Sequence, residues 1–336
     1  MKTHITPVQL FFLVFAYLLS GFFLFNIHSY YAVAAQFAVF SVFAVMASGA
    51  LSRRSTGLSD FVSFYVPGAA GTVLTGAFLV LSVYQTVRTT VFYGESIARY
   101  CTFLPWWMIF SVLLLCAFLA VKRGMTAVGR FSELLPFLLV PLLFVRPFGD
   151  FAPTLSLSDF PVSGVLSCVS CVPVFFLASK TLVSGDEGVS DAMQSANPPP
   201  VRRAAFLLQV MLAAAASASL LYGFLTMFTF RAGDVFLSLF LWMLHIIRLS
   251  ILVGIAVDSV SQASGTGVRT AYTAVLAVSV FAVLAASQSM DPVLRGRLGT
   301  AVLAADLLLP AACGVVFAVR RRGSRRGEKQ KKKSSA

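Results

Sequence analysis

Apolar residues arrive along this chain in long blocks broken by short polar or Pro/Gly punctuation, a rhythm that predicts helices able to cross a bilayer. About 20 consecutive apolar residues in a helix cover a hydrocarbon core. Marking runs and breaks predicts ten spans. The first four cover about 8–25, 30–51 after the minimal break NIHS, 67–91 opening at Pro67-Gly68, and 105–121 opening at PWW. The fifth covers about 131–149 from FSELLP, and the sixth about 161–183 from Pro161. A polar connection, SGDEGVSDAMQSANPPPVRR, separates these from the last four, at about 204–230, 235–258, 268–287 and 298–319. The N-terminal run is expected to be an uncleaved first helix, with Thr6 as N-cap and Pro7 as first helical residue.

Composition agrees with the pattern. Of 336 residues, 58% are hydrophobic and 12% charged, against about 25% charged in soluble domains. The mean hydropathy is +0.86. An all-α integral membrane protein is expected, since a β-barrel would show short alternating strands.

The formal charge of +13 narrows once the tail is set apart, because RRRGSRRGEKQKKK carries five Arg, four Lys and one Glu. A polybasic run after a membrane helix signals cytoplasmic orientation and contact with anionic lipid. Without interleaved aromatics it does not suggest nucleic acid. Ten spans then put both termini in the cytoplasm. Lys2, Arg53, Arg54, Lys122, Arg123, Arg130, Lys180, Arg202, Arg203 and Arg269 fall inside. Arg88, Arg99, Arg146, Arg231, Arg295 and Arg297 fall outside. The expected organisation is a membrane domain over 1–319 and a disordered basic tail over 320–336.

A polar linker after the sixth span fits a five-plus-five inverted repeat, about 8–149 and 161–319, of the LeuT-like kind. In such folds spans 1 and 6 are interrupted near the midplane and their freed backbone groups bind ligand. Ser20-Gly21 lies mid-way along span 1, and SCVSCVP, from Ser167 to Pro173, lies in span 6. Both are expected to be breaks. The bland alternative is ordinary kinks with small packing residues, which is also the better reading of Cys168 and Cys171.

No ATP-binding loop, HExxH or GxSxG is present, so no enzyme, metal or cofactor is expected. Candidate chemistry lies instead in polar residues inside spans. Span 8 carries Trp242, His245 and Arg248 at spacing three; span 3 carries Gln85, Arg88, Phe92, Glu95 and Arg99 on one face. Near the middle of span 10 is Asp306. An arginine at the bilayer centre costs roughly 2.5–3.5 kcal/mol, so Arg248 is expected to meet a partner. That partner is either Asp306 or a ligand carboxylate.

Several stretches together resemble the B subunits of spore germinant receptors, within the amino acid–polyamine–organocation superfamily. They are ITPVQLFFLVF at the start and the segment from Tyr84 to Leu143, with Arg88, Leu104-Pro105, Lys122-Arg123, Arg130, Glu133, Leu134 and Pro136. Trp242 with Arg248, and Pro173 followed by two phenylalanines, complete the match. The chain departs from that pattern at the abrupt NIHSYY connection, at Ser179-Lys180 and in the heavy basic tail.

The resemblance implies a receptor subunit in the spore inner membrane, beside an A subunit and a C-subunit lipoprotein. It would bind a small germinant (amino acid, sugar or nucleoside) in a midplane cavity. The ligand-binding candidates are Ser20, Gly21, Tyr84, Gln85, Arg88, Ser167, Ser170, Pro173, Phe175, Trp242, His245 and Arg248, with Asp306 as charge partner or coupling group. The alternative function is a proton- or sodium-coupled amino acid permease.

Overall fold

A computed structural model of the protein describes residues 5–24, 30–50, 62, 66, 68–98, 105–144, 172–181, 200–227 and 235–289, with short pieces between 304 and 316. The described residues form ten helices and no strand. They are α1 (Pro7–Leu24), α2 (Tyr30–Ala50), α3 (Ala69–Ala98), α4 (Trp106–Lys122), α5 (Met125–Ser132), α6 (Leu135–Phe144), α7 (Val172–Thr181), α8 (Pro200–Met227), α9 (Val235–Ser264) and α10 (Val268–Ser289). The protein is an all-α membrane protein. By length and composition, Ala69–Val91, Leu239–Ser264 and Val268–Ala285 can each cross a bilayer.

Local chemistry sets the helix ends. Thr6 and Gln9 form a reciprocal capping box: the Thr6 N–H donates to Gln9 Oε1 and the Gln9 N–H to Thr6 Oγ1, both at 3.2 Å. The expected cap and the first-turn proline are both in place. At Gly124, φ is +94°, a region closed to most side chains, and there the chain turns by 116° from α4 into the helices that follow. Pro136 accounts for the gap between α5 and α6, since it cannot donate to the Ser132 carbonyl four residues back.

Two helices outrun their expected spans. α3 continues to Ala98 and α9 to Ser264, beyond the expected limits near 91 and 258. Polar residues end an apolar run without ending a helix. Gly265, with φ +63°, supplies the left-handed stop for α9. α5 is a separate amphipathic helix that hydropathy did not foresee, with Met125, Val128, Gly129 and Ser132 on its buried face.

α9 is the axis of the bundle, packing against α1, α3, α4, α5, α6, α7 and α10. Its apolar window is 83% buried, whereas that of α10 is 22% buried. The largest core cluster joins α1, α2, α7, α8 and α9 with residues of α3, α5 and α6; a second joins α3, α4, α9 and α10. Lipid is as apolar as leucine, so helix association relies on close van der Waals packing and small residues. Gly254 of α9 lets Met125 Sδ and the Phe176 ring approach; an added Cβ would stand 3.2 and 3.3 Å from them.

Candidate functional site

The middle of α9 is nearly dry. Leu244, Ile247, Leu249 and Ile251 are fully buried, yet so are His245 and Ser250, and Arg248 is 2% exposed. Arg248 stands 13 residues from the start of α9 and 16 from its end. At 1.5 Å per residue that is roughly 20 Å or more from either end, too far for its head to reach water along the helix.

The guanidinium turns to α1. Arg248 Nη1 donates to the Tyr17 carbonyl oxygen at 3.0 Å, and the guanidinium carbon lies over the Tyr17 ring, 4.4 Å from its centroid. The Ser20 hydroxyl donates to the same carbonyl oxygen at 2.9 Å. One main-chain acceptor therefore meets a cation and a hydroxyl, while the ring above supplies its negative face. Tyr17, 1% exposed, went unnoticed in the sequence. Its signal was there, since it precedes Ser20 by three residues and so shares its face.

The expected interruption at Ser20-Gly21 is not what the structure shows. α1 runs unbroken from Pro7 to Leu24. The physical reason is that neither residue forces a break: the Ser20 hydroxyl bonds back to the Tyr17 carbonyl within a regular helix, and a buried glycine is tolerated there. In α7, Pro173 is buried and is the second described residue, so the expected break leading up to it lies outside the described residues. Ser167 and Ser170 lie outside the described residues, as does Asp306, so the Arg248–Asp306 pairing lies there too.

His245 and Trp242 share α9 with Arg248 but meet other partners. His245 packs against the Tyr93 ring of α3. Neither ring nitrogen finds a hydrogen-bond partner among the described residues. Trp242 packs with Tyr93, Ile109, Leu113 and Leu249, against α3 and α4. Spacing three falls short of a helical turn by about 60°, and over six residues this separates Trp242 from Arg248 by about 120°. The three residues consequently span a wedge from α4 through α3 to α1.

On α3, Gln85 is buried, while Tyr84 and Arg88 are partly buried. The hydroxyls nearby are bound within the helix: Ser82 to the Phe78 carbonyl, Thr86 to Ser82 and Thr90 to Thr86, each at 2.8 Å. Such back-bonding lets hydroxyls sit in an apolar bundle without a partner helix. Phe175 packs edge-on to Phe43 of α2, centroids 6.2 Å apart, within the largest core cluster.

A second polar contact lies toward the α9–α10 turn. Lys180 Nζ of α7 and Asp258 Oδ1 of α9 are 2.9 Å apart, with side chains 13% and 20% exposed. Gln262 Nε2 approaches the other Asp258 oxygen at 3.5 Å, and Lys180 lies over the Phe176 ring at 5.3 Å. Sequence reading noted Lys180 but passed over Asp258, which falls at the expected end of span 8.

No family model matches the chain, and no curated protein matches it. Among solved structures it is similar to Mhp1, a nucleobase-cation-symport-1 family transporter, in a closed conformation with bromovinylhydantoin bound. Identity is 12% and the TM-score 0.45, over 94% of this chain and 75% of that one.

Proposed function

We propose that the protein binds a small solute at the junction of α1, α3 and α9, and that binding shifts α1 against α9. The observation that carries this reading is the cation held at mid-depth by Arg248, joined to α1 through the Tyr17 carbonyl. Charged residues within membrane spans are costly, and they mark ligand or ion paths by default. A solute carboxylate that competes for Arg248 would loosen the α1–α9 contact. A ligand acts on a conformational equilibrium only through such differential contacts.

Within this reading the resemblance to germinant-receptor B subunits favours a receptor over a pump. The five-plus-five repeat, the cytoplasmic termini, the spore inner membrane and the A- and C-subunit partners all belong to this proposal, as does the germinant itself. Coupled permeation is the second reading, favoured by the buried His245 beside Arg248 on α9, a titratable group within a span.

Two assays separate them. In a spore former, deletion of the gene abolishes dipicolinate release to one class of germinant if the protein is a receptor. In proteoliposomes, solute accumulation driven by an imposed proton or sodium gradient supports the permease instead. Arg248→Ala abolishes the response in either case, and an unchanged dose response in a stably inserted variant rejects the site.

A further inference from the structure

α4 and α10 run antiparallel and meet through Phe118 and Tyr272, whose rings pack edge to face at 5.3 Å. On one side of that contact, at the end of both helices, stand Lys122, Arg123 and Arg269, all exposed. No carboxylate pairs with them among the described residues. On the other side an apolar groove of about 220 Å³ opens between the same two helices, with Trp107 and Leu115 on one wall and Leu276 and Leu284 on the other. Trp107 and Leu115 are more than half exposed.

We propose that this seam binds one anionic glycerophospholipid, its phosphate held by Lys122, Arg123 and Arg269 and an acyl chain laid in the α4–α10 groove. Charge, polarity and depth agree on that occupant. Leu115 lies seven residues from Lys122, and Leu276 seven from Arg269. At the helical rise both leucines lie roughly 10 Å below the cations. One leaflet of a 30 Å core is about 15 Å thick, so the groove begins where the distal half of an acyl chain runs. Basic residues at the ends of neighbouring membrane helices recognise anionic headgroups in this way. The site is distinct from the basic tail at 320–336, and it is independent of any solute bound at Arg248.

The test uses the full chain in nanodiscs of phosphatidylglycerol or phosphatidylcholine. Lipid retained on extraction is counted by native mass spectrometry, and thermal unfolding is followed in parallel. The wild type retains phosphatidylglycerol in preference to phosphatidylcholine and unfolds at a higher temperature in it. Each of Lys122→Gln, Arg123→Gln and Arg269→Gln lowers that preference roughly five-fold, the effect of about one charge at a membrane surface. Leu276→Trp, which fills the groove and leaves the cations in place, lowers retention of both lipids. Removal of residues 320–336 leaves the preference intact. Equal retention by the wild type and the three glutamine variants overturns the proposal, as does a preference lost with the tail alone.

Discussion

Arg248 reaches from the central helix α9 to the main chain of α1, donating to the Tyr17 carbonyl at 3.0 Å beneath the Tyr17 ring. An interaction between two side chains alone could be lost when either rotates. This one fixes a charged head to a backbone atom and caps it with a ring, so moving α1 relative to α9 breaks both contacts at once.

Arg248→Met separates function from stability. A methionine of similar length fills the same space and removes the cost of burying a charge, which offsets the lost contacts to Tyr17. The expected variant therefore unfolds at the wild-type temperature or above in detergent, yet shows no response to solute. Lower stability with intact response would make Arg248 a structural residue.

The ring and the carbonyl can be tested apart. Tyr17→Phe keeps the π face over the guanidinium and leaves stability nearly unchanged. Tyr17→Leu removes it and costs on the order of 2 kcal/mol for a desolvated cation–π contact. Thermal unfolding of the two variants against Arg248→Met in a double-mutant cycle reads the coupling, which is large for Leu and close to zero for Phe.

The Lys180–Asp258 pair joins α7 to α9, so it is expected to respond to charge placement. Lys180→Gln and Asp258→Asn each lower the unfolding temperature, and combining them costs less than the sum. The exchange of Lys180→Asp with Asp258→Lys restores part of the loss. With side chains 13% and 20% exposed, the coupling stays near the upper end for surface pairs, about 1 kcal/mol. Strictly additive losses would show that the pair contributes no coupling.

Gly94 of α3 faces the Phe110 ring of α4 so closely that an added Cβ would overlap it. Gly94→Ala is expected to cost about 1–3 kcal/mol through overpacking. Phe110→Leu in the same chain recovers part of that loss by clearing the space. Unfolding temperatures of the single and double variants check both statements.

Sequence patterning recovered the membrane class and most helix starts because these depend on local quantities: apolar run length, a Thr6–Pro7 cap, Pro67-Gly68 and the PWW opening. It misplaced the ends of α3 and α9, because a helix leaving the apolar layer keeps its backbone bonds. The amphipathic α5 was missed for a related reason, since eight residues make no apolar run. Arg248 was legible as a costly charge. Its partner was not, because Tyr17 lies 231 residues away and offers a carbonyl, a group every residue carries. Ser20 was legible for a different role: expected to break α1, it donates to the carbonyl that Arg248 uses.

The central claim, that a solute binds at the Arg248–Tyr17 junction, is tested most directly by ligand-induced stabilisation. The purified protein and its Arg248→Met variant are unfolded thermally with a panel of amino acids, sugars and nucleosides. A ligand at 100-fold its Kd stabilises the folded state by about 2.7 kcal/mol. One solute class is expected to raise the unfolding temperature of the wild type and to leave the variant unmoved. An equal shift in both proteins, or no shift from any class, would contradict the account.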